Sequence, residues 1–331
     1  MSKINAKVVN LTSLPGCQNL DPNIELMMFE PNPLALKPLA NYVMDKELFE
    51  ETADQIGQRL LDITTDGLHF SGPVGCGKST TARQLLAYLN YPTQVEVGHE
   101  DLEYETLCGR LDPVAGVMGY VDGPLKSAYE KGHAFLFEER EKAPARTNVA
   151  LNTILDGAPM HISQIGRSHR SEKEHGFLFI STGNAAGGVD MYGNHPTAQQ
   201  QDTSTEDRFD IIEVDYCDHA IEVQMINQFN APSQMVDNVV QAANICRSIH
   251  VSSKRAKHSE APEIALTLPV TYRGTQRILR NLMYKRPRFS QTNQLIDNVL
   301  KSSLNLEAIM PEEKGAIIEI FKSQLMKKGG L

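Results

Sequence analysis

Five short apolar runs punctuate this chain, each bounded by glycine or polar residues: GLHFS at 67–71, TQVEVG at 93–98, AFLFEE at 134–139, GFLFIST at 176–182 and DIIEVD at 210–215. Runs of that length, rich in branched and aromatic side chains, read as strands buried in a sheet. Between them the apolar positions change period. After the first run, KSTTARQLLAYLN places Ala82, Leu85, Leu86 and Leu89 at helical spacing. Strands that alternate with helices predict an α/β fold with a mostly parallel five-stranded sheet, covered by helices on both faces. Such sheets bind ligands beyond the carboxyl ends of their strands, and Ser71, Glu138, Glu139 and Asn184 all fall at those ends.

From Cys217 to the C-terminus the alternating runs stop, and helical patches such as MVDNVVQAANICRSI and TQRILRNLMY take over. Residues 37–216 therefore read as the α/β domain and 217–331 as a helical lid. Residues 1–36 hold proline-rich pieces, LPGCQNLDPN and EPNPLALKP, which predict an extended segment that packs on its own or a neighbouring subunit. At about 157–176 a polar stretch, MHISQIGRSHRSEKEHG, reads as an exposed hairpin that contacts a partner. Its histidines lack the i, i+4 spacing beside an acid that a metal site on a helix needs.

The 331 residues are long enough to bury a sizeable core. No apolar run approaches the roughly 18 residues of a membrane span, and the N-terminus lacks the apolar core of an export signal. Five scattered cysteines without metal-binding spacing suit reduced thiols. The expectation is a cytoplasmic protein with no membrane contact. A formal net charge of -9 argues against coating nucleic acid. The charge is uneven, with 15 Lys/Arg against 10 Asp/Glu from Cys217 onward, so nucleic acid stays a possible but unfavoured partner of that basic third.

The chemistry concentrates in GPVGCGKST, where Gly72, Gly77, Lys78 and Ser79 match the spacing G-x-x-x-x-G-K-[ST]. Average composition produces this pattern by chance in about 1% of chains this long, and its place between a strand and a helix makes chance less adequate still. Gly72, Gly75 and Gly77 let backbone N–H groups of a loop that includes Pro73, Val74 and Cys76 turn toward phosphate oxygens. The helix that starts here aims its positive end at the same point. Lys78 reaches β and γ phosphates, and the Ser79 hydroxyl, with Thr80 beside it, opens a place for Mg²⁺. Cys76 is a small loop residue at a helix start, where a thiol is also more easily oxidised.

Hydrolysis needs a second, acidic strand, and AFLFEE supplies one. In the favoured frame Glu138 orients the magnesium shell and Glu139 is the base that polarises the attacking water. The other frame puts Arg140 in the base position, which cannot accept a proton. Asn184 ends the next strand, where an amide can hold that water or simply form a loop turn. Arg208 lies in DRF before the fifth strand. It either pairs with a neighbouring acid or serves as a mobile cation for phosphoryl transfer.

Taken in order, these motifs resemble AAA+ ATPases of the MoxR clade, and most closely the ATPase subunit of cobaltochelatase (CobS-like) and the CbbQ/NorQ proteins, over roughly residues 45–290. TLCGRLDPVAGVMGYVDGPLKSAYEKGHAFLFEEREKAPARTNVALNTILDG resembles that family's second-helix insertion, acidic strand and following helix. FLFISTGNAAGGVDMYGNHPTAQQQDTSTEDRFD resembles its sensor 1 region. LPVTYRGTQRILRN resembles its sensor 2 helix.

The resemblance implies ATP and Mg²⁺ as cofactors and a hexameric ring. It also implies a von Willebrand factor A (VWA) domain partner and a remodelled client protein. By that analogy Gly72 to Thr80 bind nucleotide, Ser79 and Glu138 face the metal, and Glu139, Asn184, Arg208 and Arg273 are catalytic. Arg208 is then the finger that reaches a neighbour's nucleotide. Two departures stand out. Glu138 replaces the usual aspartate, which predicts slower turnover, and Thr106 replaces a frequent acid before the Leu-x-Gly.

Overall fold

The computed structural model describes residues 5–114, 116–162, 170–184, 201–227, 230–250 and 266–327. These form two compact units. The first runs to Val214, apart from Pro73–Cys76; the second holds Pro73–Cys76 and the chain from Asp215 onward.

In the first unit the elements are β1 (Ala6–Asn10), β2 (Glu25–Phe29), α1 (Lys46–Leu60), β3 (Gly67–Ser71), α2 (Lys78–Tyr88), β4 (Thr93–Val97), α3 (Tyr104–Cys108), β5 (Gly109–Val114) and β6 (Val117–Asp122). They continue as α4 (Pro124–Tyr129), β7 (Ala134–Glu138), α5 (Ala145–Ala150), α6 (Asn152–Leu155), β8 (Met160–His161), β9 (Arg170–Ser171), β10 (Leu178–Gly183), α7 (Thr203–Glu206) and β11 (Phe209–Glu213).

Five of these strands build the main sheet in the order β11-β3-β10-β7-β4, with every neighbouring pair parallel. They coincide with the five apolar runs, shifted by a residue or two at the ends. β3 and β10 are buried at every position and β7 at all but Glu138, as expected of central parallel strands covered on both faces. Phe135, Phe179 and Phe209 stack in a chain below the sheet at centroid distances of 5.4 and 5.8 Å. Each such ring contributes about 1.5–3 kcal/mol of burial. The register then aligns the strand ends: Gly183 lies opposite Ser71 and Ser181 opposite Phe137. Ser71, Glu138 and Asn184 consequently emerge at one edge.

Residues read as an extended N-terminal segment contain β1 and β2, which pair antiparallel. Leu26 of β2 and Leu11, Leu14 and Cys17 between the two strands are buried. β2 approaches α1 so closely that a Cβ on Gly57 would lie 2.9 Å from the Glu25 carbonyl oxygen. Its last residue reaches the end of α2, through Phe29 N–H to the Leu89 carbonyl at 2.8 Å and an edge-on contact with Tyr91 at 4.5 Å. β5 and β6 form a second antiparallel hairpin in the stretch that resembles a second-helix insertion. Within the polar stretch at 157–176, Met160 pairs with Ser171 and His161 with Arg170; residues 163–169 of it lie outside the described set.

The second unit is helical: α8 (His219–Ile226), α9 (Ser233–Ser248), α10 (Tyr272–Lys285), α11 (Thr292–Ser303) and α12 (Pro311–Leu325). α10 buries Tyr272, Thr275, Ile278, Leu279 and Leu282, a helical stripe. Arg273, Arg277 and Arg280 lie on its exposed side. At the centre of the unit, Arg247 and Glu222 form a forked ion pair with N···O distances of 2.5 and 2.9 Å. The guanidinium sits 4.2 Å over the Tyr216 ring. Its remaining donors reach Val270 O, Asn244 Oδ1 and Thr275 Oγ1, so the buried charge is fully satisfied. No disulfide joins the five cysteines. Among the described residues no helix is long and apolar enough to cross a membrane.

Candidate nucleotide site

β3 ends at Ser71 and α2 begins at Lys78, so GPVGCG must reverse the chain in six residues. Gly75 (φ +70°) and Gly77 (φ +111°) adopt the left-handed region that glycine reaches without a Cβ penalty. A Cβ at Gly75 would also lie 2.8 Å from Thr271 Cβ. At Gly77 it would meet only open space, so that glycine is required by conformation alone. Val74 is fixed by its carbonyl, which accepts from the Tyr216 hydroxyl at 2.7 Å. Cys76 is buried and Pro73 half-buried.

Gly77 caps α2, an 11-residue helix whose first turn presents unsatisfied N–H groups and a positive dipole end. Lys78 is almost fully buried at that start, 7% exposed. Its ammonium donates to Gly72 O at 2.8 Å and to Asn184 Oδ1 at 3.0 Å. The structure thus brings the loop lysine and the amide at the tip of β10 into direct contact. A ligand with several anionic oxygens suits this cradle, since the first turn of α2 offers N–H donors and Lys78 a cation.

Ser79 Oγ lies 3.4 Å from Thr182 Oγ1, and Thr80 is exposed. Glu138, expected to serve the metal, instead accepts a forked pair from Arg83: Nε to Oε1 at 2.9 Å and Nη2 to Oε2 at 2.7 Å. Among the described residues no group of three His, Cys, Asp or Glu side chains could hold a metal alone. The oxygen donors Ser79 and Glu138 do suit Mg²⁺, which keeps waters and takes further ligands from phosphate.

Glu139 takes a left-handed backbone (φ +53°) as the chain leaves β7, a conformation that costs a non-glycine residue about 1 kcal/mol or more. Its carboxylate accepts from Lys142 at 2.5 Å, and its backbone N–H lies 3.3 Å from Thr182 Oγ1. Arg140 turns inward, pairing with Glu206 at 2.6 Å and lying 4.4 Å over the Phe209 ring.

Two groups absent from the motif reading complete the floor of the site. Glu141 is 3% exposed; its Oε1 accepts the Asn184 backbone N–H at 2.8 Å, while its Oε2 has no hydrogen-bond partner. His69 Nδ1 lies 2.8 Å from Ser181 Oγ, and its Nε2 is likewise without a partner. Burial, then the nearby positive charges of Arg140 and Lys78, push the His69 pKa well below its ordinary value and keep the ring neutral. Both orphan atoms crowd Gly183, where a Cβ would lie 2.8 Å from Glu141 Oε2 and 3.1 Å from His69 Nε2.

Arg208 sits elsewhere. It precedes β11 and its carbonyl accepts from Gly67 N–H at 3.0 Å, at the amino end of β3. The phosphate loop leaves the other end of this five-residue strand, after Ser71, about 13 Å away along the strand. Asp156 holds the guanidinium in a fork of 2.7 and 3.1 Å. Arg273 stands in the first turn of α10, exposed.

Comparison with known proteins follows the same lines. An uncharacterized protein of Staphylococcus haemolyticus is 25% identical over 247 residues, 70% of this chain and 88% of that one. The gas vesicle ATPase GvpN of Ancylobacter aquaticus is 23% identical over 311 residues, 87% of this chain and 82% of its own. The von Willebrand factor A domain-containing protein 8 of Mus musculus is 29% identical over 89 residues, 27% of this chain and 5% of that protein. The family model of the AAA domain, dynein-related subfamily, matches residues 67–209. The stretch from β3 to the start of β11, holding loop, acidic strand and Asn184, is thus the part of the chain that resembles the AAA domain of the dynein-related subfamily.

Proposed function

We propose that this chain is a Mg²⁺-dependent ATPase of the AAA+ ring type, related to MoxR and CobS-like proteins, that remodels or activates a partner protein. The observation that carries this reading is the convergence of Lys78 and Asn184 on one point at the carboxyl edge of the sheet, beside the start of α2. Loop N–H groups and the Lys78 ammonium bind the β and γ phosphates, exchanging the Gly72 and Asn184 contacts for phosphate oxygens. Asn184, released from the lysine, orients the attacking water, and Glu139 takes its proton once Lys142 yields. Ser79 and Glu138 would hold Mg²⁺, which neutralises phosphate charge when bound.

Arg208 supports a shared site. It lies at the far end of the strand that leads to its own loop, so it serves a neighbouring protomer's γ-phosphate after leaving Asp156. Arg273 acts on the nucleotide from the lid. The likeness to a gas vesicle ATPase supports ATP turnover, and a VWA-domain protein is the proposed partner.

Phosphate release tests the reading. Wild type should exceed Glu139→Gln by at least 100-fold, and mixtures of Arg208→Ala with Glu139→Gln subunits should recover part of the lost activity. Equal release from wild type and Glu139→Gln would favour the second reading, an ATP-binding scaffold with little turnover. The pairing of both Glu138 and Glu139 with cations motivates that alternative.

A further inference from the structure

We infer that Arg83 is a resident cation of the nucleotide site that competes with Mg²⁺ for Glu138 and sets how much magnesium the site requires. The inference rests on the nucleotide reading above and adds a residue to it. Arg83 follows Ser79 by four positions on α2, so both side chains project from one face of the helix. From there the guanidinium engages both oxygens of Glu138, at 2.9 and 2.7 Å. This is the planar, forked geometry in which an arginine holds a carboxylate best.

The pair explains the unusual acid. An aspartate at 138 would be one methylene shorter and its carboxylate would stop short of the guanidinium; glutamate spans the gap. Glu138 is well covered, with a side chain 15% exposed, whereas that of Arg83 is 41% exposed. The carboxylate is therefore the fixed partner and the guanidinium the one free to swing into solvent. An ion or its water shell calls on the same oxygens in near-octahedral array, and the fork occupies a lone pair on each and sets a positive charge beside them. Metal entry is thus opposed by Arg83, and the cost of loosening the pair lowers metal affinity. In metal-free protein the same fork keeps the carboxylate next to the phosphate-binding loop neutralised.

The test measures binding, not turnover. A fluorescent, non-hydrolysable ATP analogue is titrated into full-length wild type, Arg83→Gln and Arg83→Lys, first in EDTA and then across a magnesium series. Arg83→Gln should lower the half-saturating magnesium about tenfold, equivalent to about 1.4 kcal/mol. Arg83→Lys keeps the charge but cannot make the fork, and should lower it by about threefold. It also guards against misfolding of the glutamine variant. A midpoint for Arg83→Gln within twofold of wild type, with nucleotide bound, overturns the competition alone. A lysine variant identical to wild type beside a shifted glutamine variant overturns the fork in favour of bulk charge. Failure of every protein to bind the analogue at any magnesium concentration overturns the nucleotide reading, and the competition with it.

Discussion

Replacing Glu141 separates positioning from stability at the floor of the site. In Glu141→Ala, Asn184 loses the carboxylate that accepts its backbone N–H at 2.8 Å, a charge-assisted bond worth about 1.5–3 kcal/mol. The same change removes a buried oxygen with no partner, whose desolvation costs about 1–3 kcal/mol. These terms nearly cancel, so global stability should move by less than about 2 kcal/mol. Activity should not be spared. Asn184 would then keep only its side-chain contact with Lys78, which phosphate displaces, and a displacement of about 1 Å at a water-orienting group costs about 100-fold in turnover.

Glu141→Gln distinguishes the two effects. Its amide oxygen still accepts from Asn184, and its NH₂ replaces the oxygen that has no partner. That variant should keep turnover within about threefold and melt no lower than wild type. Steady-state phosphate release, giving kcat and KM separately, and thermal melts of the three proteins make the comparison. An alanine variant with unchanged kcat would refute the positioning argument, as would a glutamine variant as impaired as alanine.

Other consequences are more local. His69 stays neutral in the fold, so the unfolded chain binds a proton that the native one does not, and stability should fall as pH drops below about 6.5. The slope from this residue approaches 1.4 kcal/mol per pH unit, about the value for one proton. His133 and His250, also depressed by burial, act in the same sense. Urea unfolding of wild type and His69→Asn between pH 7.5 and 5.5 checks it, and equal slopes would contradict the assignment. In the helical unit, Glu222→Gln leaves the Arg247 charge buried with half of its fork and should cost about 3–5 kcal/mol. Glu222→Leu with Arg247→Met should cost far less, because no lone charge remains. Melting of the single variant within about 2 °C of wild type would refute the first claim.

The sheet was legible because its central strands are buried on both faces and so read as unbroken apolar runs. LFIST and AFLFE admit little else. Their spatial order was not, since β3, β10 and β7 carry interchangeable side chains and no local pattern encodes which strand lies beside which. β1 and β2 carry no clear strand pattern for a different reason: β1 is largely exposed, and prolines flank the short β2. Within the site, glycines and a lysine at fixed spacing announced the loop. Arg83, Glu141 and His69 did not stand out. A polar helix position, one acid among several in EEREK and a histidine inside an apolar strand look the same whether they face solvent or the floor of a site. The extra methylene of Glu138 predicts slower turnover from the sequence but does not point to Arg83 as its partner.

Calorimetric titration of ATP into full-length wild type and Lys78→Ala, in magnesium, tests the central claim most directly. The account predicts one nucleotide taken up per wild-type chain and at least about a hundredfold weaker binding when the ammonium beside Gly72 and Asn184 is gone. No heat from wild type, or equal affinity in the two proteins, would contradict it.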